Sequence, residues 1–361
     1  MMQQQLIFPA RVLRGAGVIT QLGGLSRELG QRVLLTGGLQ ALTAVQSTVE
    51  QQLAEAGCTL VGSEWFGGES SRHHITRLGE LVQERHADVI IAAGGGKSLD
   101  TAKAVGAEQN IPVIALPTIA ATCSAVTPLS ILYDDSGNFV DMLPLPRAPA
   151  AVIIDSQLLS QAPLRWLAAG LGDTLAKWYE FRAVSKLHPA REASARSSLA
   201  HSRICYEVIA QHGPAACEAV RRQQPDAHFE QVLDVIFTFA GLTSLMSNGA
   251  HAAAAHAIYE GFTFCDKTRE FGHGLLVGYG NLCLLALEQR DDAELRAEMR
   301  LARDCGLPLS LAEIAGLNAG ELATIVRESV QAPDMKNMAG GVSETALYQA
   351  IARVDALAAT L

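Results

Sequence analysis

The stretch AAGGGKSLDTAK, residues 92–103, decides the fold of the N-terminal half of the chain. An apolar run ends here in Gly94, Gly95 and Gly96, and a pattern typical of a helix follows. Glycines let a backbone approach a ligand closely, and the first turn of a helix presents unpaired N–H groups and the positive end of its dipole. The stretch therefore predicts a strand, turn and helix that bind a phosphate or pyrophosphate, with a ligand-free glycine turn as the alternative.

Two common nucleotide-binding motifs do not match this stretch. A hydrolysing P-loop has a glycine five positions before its Gly-Lys-Ser, and that position is Ile91. The dinucleotide fingerprint G-x-G-x-x-G also fails, because Lys97, Ser98 and Leu99 follow the glycines. The spacing therefore disfavours an ATPase or a phosphate-binding switch.

Strand-like and helix-like segments alternate through the first 160 residues. The strand-like runs include VLLTGG, TLVGSEWF, VIIAAGGG and VIALPT, and helical patterns separate them. Such alternation predicts a parallel sheet with helices on both faces, and continuous apolar runs fit strands buried on both sides. From Leu164 onward helical patterns dominate. We therefore predict an α/β domain over residues 1–160 and an all-α domain over residues 161–361.

The composition is typical of a soluble globular protein, with 49% hydrophobic and 18% charged residues among 361. A formal net charge of −9 without a block of Lys or Arg disfavours binding to nucleic acid or an anionic membrane. The N-terminus does not match a secretory signal, and the apolar segment LLVGYGNLCLLAL is shorter than the ~20 residues of a membrane-spanning helix. Seven cysteines without a C-x-x-C motif disfavour a disulfide framework. We expect a cytoplasmic protein.

Three residues of the C-terminal half are candidate metal ligands. His256 lies in the alanine-rich segment AAAAHAIYEG, His273 lies between glycines, and Asp173 follows glycines in GLGD. Two histidines and one carboxylate form a known catalytic zinc set with an open position for substrate. The alternatives are hydrogen-bonded core histidines and a helix N-cap at Asp173. His251 lies about 140° around a helix from His256, so the two cannot share one ion without distortion.

Five ordered segments resemble the glycerol dehydrogenase branch of the iron-containing alcohol dehydrogenase superfamily, and the resemblance covers nearly the whole chain. The segments are GGGKSLDTAKAV, LPTIAATCSAVTPLSILY, GLGDTLAKWYE, AAAHAIYEGF and FGHG. The resemblance implies an α/β N-terminal Rossmann-like domain that binds NAD or NADP and an all-α C-terminal domain that holds a divalent metal. It implies the dehydroquinate synthase-like, iron-containing alcohol dehydrogenase fold, with the site in the cleft between the domains. It also implies a homo-oligomer, such as an octamer.

The resemblance assigns roles to individual positions. Asp173, His256 and His273 match the metal ligands of the family. The remaining matched positions contact the cofactor: Gly94, Gly95, Gly96, Lys97 and Asp100 in the pyrophosphate loop, and Thr118, Thr122, Thr127, Leu129 and Tyr133 along the cofactor cleft. Gly38 follows the strand end at which many relatives carry an aspartate. That acid selects NAD, so its absence predicts that NADP is accepted, although no nearby arginine is evident in the sequence.

Departures from the family bear on the metal and the substrate. Lys177 stands where iron-type members carry a further histidine, which favours a three-ligand site and zinc over iron. Cys123 stands where glycerol dehydrogenases usually carry an aspartate, and a cysteine is a poor acceptor for the hydroxyls of a polyol. Lys177 either pairs with a substrate carboxylate beside the metal or bridges Asp173. Tyr259 and Leu275 also replace residues common in the family, a histidine and an acid.

The sequence therefore predicts a metal-dependent oxidoreductase that transfers a hydride between NAD(P) and a small hydroxylated substrate. Cys123 and Lys177 favour a 2-hydroxy acid or 2-oxo acid. The alternative is a glycerol (polyol) dehydrogenase proper. A dehydroquinate synthase-like lyase is disfavoured, because that class carries a glutamate where Asp173 stands.

Overall fold

The computed structural model describes residues 5–247, 251–269 and 271–361. The chain divides into two compact units. The first unit comprises Met1–Ala162 with Gln223–Pro225, and the second comprises Pro163–Arg222 with Asp226–Leu361. The boundary expected from the sequence lies at residue 160.

The first unit contains eight strands and five α-helices within its described residues. In chain order they are β1 (Arg11–Gly15), α1 (Leu22–Leu29), β2 (Arg32–Gly37), α2 (Leu39–Glu55), β3 (Thr59–Trp65), α3 (Arg72–Glu84), β4 (Val89–Gly94), α4 (Gly96–Glu108), β5 (Val113–Pro117), β6 (Leu129–Tyr133), β7 (Phe139–Pro144), β8 (Ala151–Asp155) and α5 (Ser156–Ser160). Short 3₁₀ helices cover Val18–Gln21 and Cys123–Val126.

Six of these strands form one sheet in the order β1-β8-β5-β4-β2-β3, and every pairing in it is parallel. Both faces of the sheet are buried. Leu35 and Ile91 pack into a core with α1 and α2, while their neighbours Leu34 and Ile90 point to the opposite face and are also buried. The structure confirms the predicted parallel sheet covered by helices.

Strand β1 and the antiparallel hairpin of β6 and β7 were not expected from the sequence. Strand β1 lies at the sheet edge and carries Arg11 and Arg14, so it lacks the continuous apolar run of the central strands. Strand β7 is largely exposed, and its polar and apolar residues give no buried pattern. Edge and hairpin strands are therefore recognisable only from their pairing.

The second unit is helical throughout its described residues, as predicted. Its α-helices are α6 (Leu164–Leu187), α7 (Ala193–Arg221), α8 (Ala227–Leu233), α9 (Ala240–Met246), α10 (Ala254–Thr263), α11 (Asp266–Arg269), α12 (His273–Leu287), α13 (Asp292–Asp304), α14 (Leu311–Ile314), α15 (Ala319–Gln331) and α16 (Glu344–Ala358). A π-helical segment, Asp234–Phe239, joins α8 to α9, and Pro333–Asn337 forms a 3₁₀ helix.

Helix α12 packs against α6 and α10 at very short range because glycines form the contacts. A Cβ atom on Gly172 of α6 would clash with the carbonyl oxygen of Gly274, and a Cβ on Gly280 would lie 2.6 Å from the carbonyl oxygen of Ala255 on α10. Asn281 of α12 donates a hydrogen bond of 2.9 Å to the Gly172 carbonyl. Helix α12 is thus the element against which α6 and α10 are positioned.

The far end of the same helix pair is held by Glu288, the residue that follows α12. Its side chain is 3% exposed and binds Arg182 at 3.0 Å and Lys186 at 2.6 Å, both on α6. Burial would raise the pKa of Glu288, but these cations together with Arg290 lower it below its usual value. A charged carboxylate thus fixes the C-terminal end of α12 to α6.

One continuous helical stretch, Ala227–Met246, is long and apolar enough to cross a bilayer by length and composition, with a mean hydropathy of 1.3. Its large side chains Phe229, Val232 and Phe237 are fully buried inside the second unit. This burial is the pattern of a core helix.

Replacing Gly172 by alanine tests the close approach of α6 and α12. We expect Gly172→Ala to lower the free energy of unfolding by about 1–3 kcal/mol, because the added methyl group overpacks the helix contact. Urea unfolding followed by circular dichroism measures the change. Gly316→Ala is the matched control, since a Cβ at Gly316 meets no atom within 4 Å. Equal stability of the two variants would contradict the packing argument.

Candidate active site

The second unit brings together the three residues predicted to bind metal. Asp173 comes from α6, His256 from α10 and His273 from the first position of α12. The Nε2 atoms of His256 and His273 lie 3.5 and 3.6 Å from Oδ1 of Asp173, and the three ligand atoms all lie within 4.8 Å of one another. Helix α6 begins at Leu164, so the alternative of Asp173 as an N-cap is wrong.

The environment of Asp173 fits a bound cation. Its Oδ1 atom is buried and has no hydrogen-bond partner among the described residues, although two imidazole nitrogens and an ammonium surround it at 3.5–3.8 Å. A buried polar atom without a partner is costly, and proteins rarely retain one without a reason. Carboxylate and imidazole are ligands that suit zinc and other first-row divalent metals. The donor set therefore fits a divalent metal.

The charges around the three residues also favour a cation. Burial would raise the pKa of Asp173, but Lys177 and the two imidazoles hold it well below its usual range. Burial would lower the pKa of His256, but the carboxylates of Glu180 and Asp173 raise it to about 10. Two ionised carboxylates thus face one imidazole, an arrangement that stabilises positive charge at this point.

Glu180 is a residue of this site that was not predicted from the sequence. It lies two turns after Asp173 on α6, its side chain is fully buried, and its Oε2 accepts a hydrogen bond of 2.5 Å from Nδ1 of His256. Seven residues separate Glu180 from Asp173, and this interval places both on one face of a helix. That spacing is the signal in the sequence from which Glu180 was recognisable.

Lys177 and His251 surround the ligand cluster without joining it. The Nζ atom of Lys177 is buried and lies 3.8 Å from Oδ1 of Asp173, an ion pair too long for a hydrogen bond. The imidazole of His251 bonds instead to the hydroxyls of Ser244 and Ser247, at 3.2 and 2.8 Å. His251 also precedes α10, which begins at Ala254, so the helical spacing from which its separation from His256 was predicted does not apply.

The glycine loop of the first unit has the geometry expected of a phosphate-binding turn. Gly94 ends β4 with φ +144°, a conformation that favours glycine, and Gly95 caps α4 without a side-chain hydrogen bond. A Cβ on Gly95 would lie 2.5 Å from Ile119, and one on Gly96 would lie 3.1 Å from Thr122. Helix α4 has no acidic residue in its first turn, so no carboxylate of the helix itself would compete with an anion for its free N–H groups.

Several other predicted cofactor residues lie beside this loop. The N–H group of Thr118 donates to the Gly94 carbonyl at 3.1 Å, and Gly38 follows β2, the strand next to β4. Lys97 is half-exposed; its Nζ binds Glu69 at 2.6 Å and lies 4.8 Å from the ring centre of Tyr133. One end of the sheet thus gathers these residues.

Asp100 has a different environment from that of a ligand contact. Its carboxylate is buried and accepts hydrogen bonds from the Ser124 hydroxyl at 2.5 Å and the Ile131 N–H at 3.1 Å. It also pairs with Lys103 at 2.8 Å. The structure therefore places Asp100 where it supports the loop that carries Thr122 and Cys123.

Lys103 completes that support. Its buried ammonium donates to the carbonyl oxygens of Leu129 at 2.5 Å, Ser124 at 2.7 Å and Thr127 at 3.0 Å. Thr127 and Leu129 were predicted to line the cofactor site, and their main-chain carbonyls are bound to this lysine. Cys123 begins the short 3₁₀ helix of the same loop and is buried.

Comparisons with known proteins agree on one family. Residues 9–156 match the family model described as iron-containing alcohol dehydrogenase. A glycerol dehydrogenase of Pseudomonas putida is 35% identical, covering 99% of this chain and 98% of that protein. Hydroxycarboxylate dehydrogenase A of Escherichia coli K12 is 33% identical over 77% of this chain and 75% of its own. The crystal structure of a probable glycerol dehydrogenase from Sinorhizobium meliloti 1021 aligns with this chain over 100% of both chains, with a TM-score of 0.86 and 29% sequence identity.

Substitution of Lys103 tests whether this residue supports the loop that carries Thr122 and Cys123. Lys103→Met leaves Asp100 buried without its cation, and removal of one partner from a buried ion pair costs about 3–5 kcal/mol. We expect a lower unfolding temperature and NADH binding weaker by at least about tenfold, or about 1.4 kcal/mol. A fluorescence titration with NADH measures the affinity. Lys267→Met is the control, because Lys267 forms a half-exposed ion pair with Glu321. Unchanged NADH affinity in Lys103→Met would rule out this role.

Proposed function

Because the chain belongs to the iron-containing alcohol dehydrogenase family, we propose that Asp173, His256 and His273 bind one divalent metal, which serves oxidation of a small 2-hydroxy acid or reduction of the 2-oxo acid. Family membership makes the protein a metal-dependent oxidoreductase that uses a nicotinamide cofactor and a small-molecule substrate. The observation that carries the proposal is the buried Oδ1 atom of Asp173, which lies between two imidazoles without a hydrogen-bond partner among the described residues.

Zinc is the metal that the ligand set supports best. Lys177 occupies the position of a further histidine in iron-type members, and an ammonium cannot ligate a metal. Its Nζ atom is buried 3.8 Å from Oδ1 of Asp173, where a fourth protein ligand would otherwise lie. Three protein ligands with an open position for substrate are typical of catalytic zinc.

The chemistry divides between the bound groups and the chain. A metal held by Asp173, His256 and His273 would supply Lewis acidity toward the substrate hydroxyl, and a bound nicotinamide would supply the hydride chemistry. His256 and His273 present their Nε2 atoms, and Asp173 supplies negative charge. In the first unit, the main-chain N–H groups at the start of α4 would hold the pyrophosphate, and Lys97 would supply positive charge beside it.

Lys177 and Cys123 support an acid as substrate. The ammonium of Lys177 is buried next to a metal-ligating carboxylate, so it favours an anionic group close to the reacting carbon. Cys123 replaces the aspartate typical of glycerol dehydrogenases, which removes a charge that would repel an anion. Hydroxycarboxylate dehydrogenase A, whose name states an acid substrate, is among the relatives. We further propose that the protein is a homo-oligomer, as the resemblance to the family implies, and that it is cytoplasmic, as its cysteine usage and N-terminal sequence indicate.

A glycerol dehydrogenase proper is the second candidate. The relatives that cover nearly the whole chain, including the one from Pseudomonas putida, are glycerol dehydrogenases. Lys177 in that case serves only as the ion-pair partner of Asp173. The two candidates differ in which substrate depends on the Lys177 charge.

Removal of a ligand tests the metal site. We expect His256→Ala to lose bound metal and turnover together while the helical circular dichroism spectrum is retained, because the imidazole supplies one of three ligands. Atomic absorption measures the metal content, and absorbance of NADH at 340 nm measures turnover. His188→Ala, at an exposed position, should keep both. A fully active His256→Ala protein without metal would refute the proposed site.

The substrate assignment is tested at Lys177. We expect Lys177→Met to lower kcat/KM for a small 2-oxo acid, by an amount that corresponds to the ~1.5–3 kcal/mol of a charged hydrogen bond. The kcat/KM for the uncharged analogue hydroxyacetone should not change. Steady-state kinetics on both substrates measures the difference. Equal loss on both would indicate a structural role for Lys177. Preference of the wild-type enzyme for glycerol would support the second candidate.

The end of β2 supports use of NADP(H). Gly37 and Gly38 carry no carboxylate to repel a 2′-phosphate. The register pairs Gly37 with Trp65 of β3, and the guanidinium of Arg77 donates to the Trp65 carbonyl at 2.6 Å. Arg77, which was not recognised from the sequence, is thus bound to β3, the strand next to Gly37. Its guanidinium provides a positive charge for the 2′-phosphate of NADP.

Cofactor selectivity tests this support. We expect kcat/KM values for NADP and NAD to lie within about tenfold of each other, a difference of about 1.4 kcal/mol. Arg77→Gln should lower the value for NADP alone, since only NADP carries the extra phosphate. Steady-state kinetics with both cofactors decides the point. Strong selectivity of the wild-type enzyme for NAD would overturn it.

A further inference from the structure

The carboxylate of Glu180 is a buried charge with a specific set of partners. Its residue is 0% exposed, and it lies on the same face of α6 as Asp173, seven residues away. A buried carboxylate is tolerated only when hydrogen bonds or opposite charges compensate it. All the compensating donors that the structure gives for Glu180 belong to the start of α10.

The first two donors are main-chain groups. Oε1 of Glu180 accepts hydrogen bonds from the N–H of Ala253 at 2.8 Å and from the N–H of His256 at 2.9 Å. These N–H groups lie at the start of α10, where a helix leaves its donors without intrahelical partners. Ala253 occupies the N-cap position, and its methyl group cannot accept a capping hydrogen bond. Glu180 therefore caps α10 from a neighbouring helix.

The third donor is the imidazole of the same His256. Its Nδ1 atom lies 2.5 Å from Oε2 of Glu180, while Nε2 points toward Asp173, 3.5 Å from Oδ1. An ionised carboxylate accepts hydrogen bonds and cannot donate one. Nδ1 therefore keeps its proton, so a metal that binds the ring displaces the proton of Nε2 and takes the lone pair of that atom.

We propose that Glu180 is a positioning residue for the metal site: it fixes the tautomer, the ring orientation and the main chain of His256 so that Nε2 is presented to the ion. The inference rests on the proposed metal site. Glu180 itself binds neither the metal nor the substrate. One carboxylate holds His256 at both its backbone and its ring, so the loss of that charge affects the ligand in two ways.

Replacement by glutamine separates the charge from the shape. In Glu180→Gln the amide oxygen can still accept from the N–H groups of Ala253 and His256. The amide nitrogen then faces Nδ1 and donates to it, so the imidazole proton is driven to Nε2, the atom needed by the metal. We expect zinc affinity to fall 10- to 100-fold, the range seen when the partner of a ligating histidine is removed.

The test compares zinc transfer from the holoenzyme to a chromogenic chelator for the wild type, Glu180→Gln and the control Glu288→Gln. The control also removes a buried carboxylate of the second unit, one that pairs with Arg182 and Lys186. It should lower thermal stability and leave zinc affinity unchanged. Weakened zinc binding in Glu180→Gln alone supports the inference, and unchanged affinity in that variant overturns it.

A second measurement holds even where Glu180→Gln does not fold. Nitrogen NMR of histidine-labelled wild-type protein with zinc bound reports which ring nitrogen of His256 carries the proton. A protonated Nδ1 with a metal-bound Nε2 supports the inference, and the reverse overturns it. Failure of the wild-type protein to bind zinc or another divalent metal refutes the proposed site itself. That result is distinct from equal binding by wild type and variant, which refutes only the role of Glu180.

Discussion

The close approach of α12 to α6 and α10 is the constraint on which the candidate site depends. Glycines at the contacts let main chains meet where any side chain would separate them, as at Gly172 against Gly274. Each of the three helices carries one candidate ligand within a few residues of these contacts. Because Asp173 directly follows Gly172 and His273 directly precedes Gly274, the packing that stabilises the helices also sets the separation of the ligands.

At this contact, charged side chains surround the imidazole of His256. Asp173 and Glu180 lie on one face of α6 and approach the two ring nitrogens of His256 from different sides. Lys177 lies between them in sequence and pairs with Asp173. Low-dielectric surroundings strengthen each of these interactions and make an unpaired group costly. The helix thus supplies a candidate ligand, its counter-charge and a hydrogen-bond partner of a second candidate ligand within two turns.

In the first unit, a buried lysine fixes the position of a loop that carries candidate site residues. Glycines bring the main chain of the loop between β4 and α4 to the edge of the sheet, while Lys103 and Asp100 hold the following loop by its carbonyl oxygens and hydroxyls. Charged hydrogen bonds, which are stronger than neutral ones, therefore fix the main chain of that loop. In both units a buried charge fixes a segment that carries candidate site residues.

The sequence by itself determined the division into an α/β half and an all-α half, the parallel sheet, the glycine loop and the three candidate ligands. These features follow from local periodicity, composition and short motifs. Only the tertiary structure revealed strand β1, the β6 and β7 hairpin, and the contacts of Glu180, Lys103 and Asp100. An edge strand is defined by its pairing, which its own residues do not encode locally. The role of a buried charge depends on donors distant in sequence, such as Ala253 for Glu180, which only folding brings within hydrogen-bond distance.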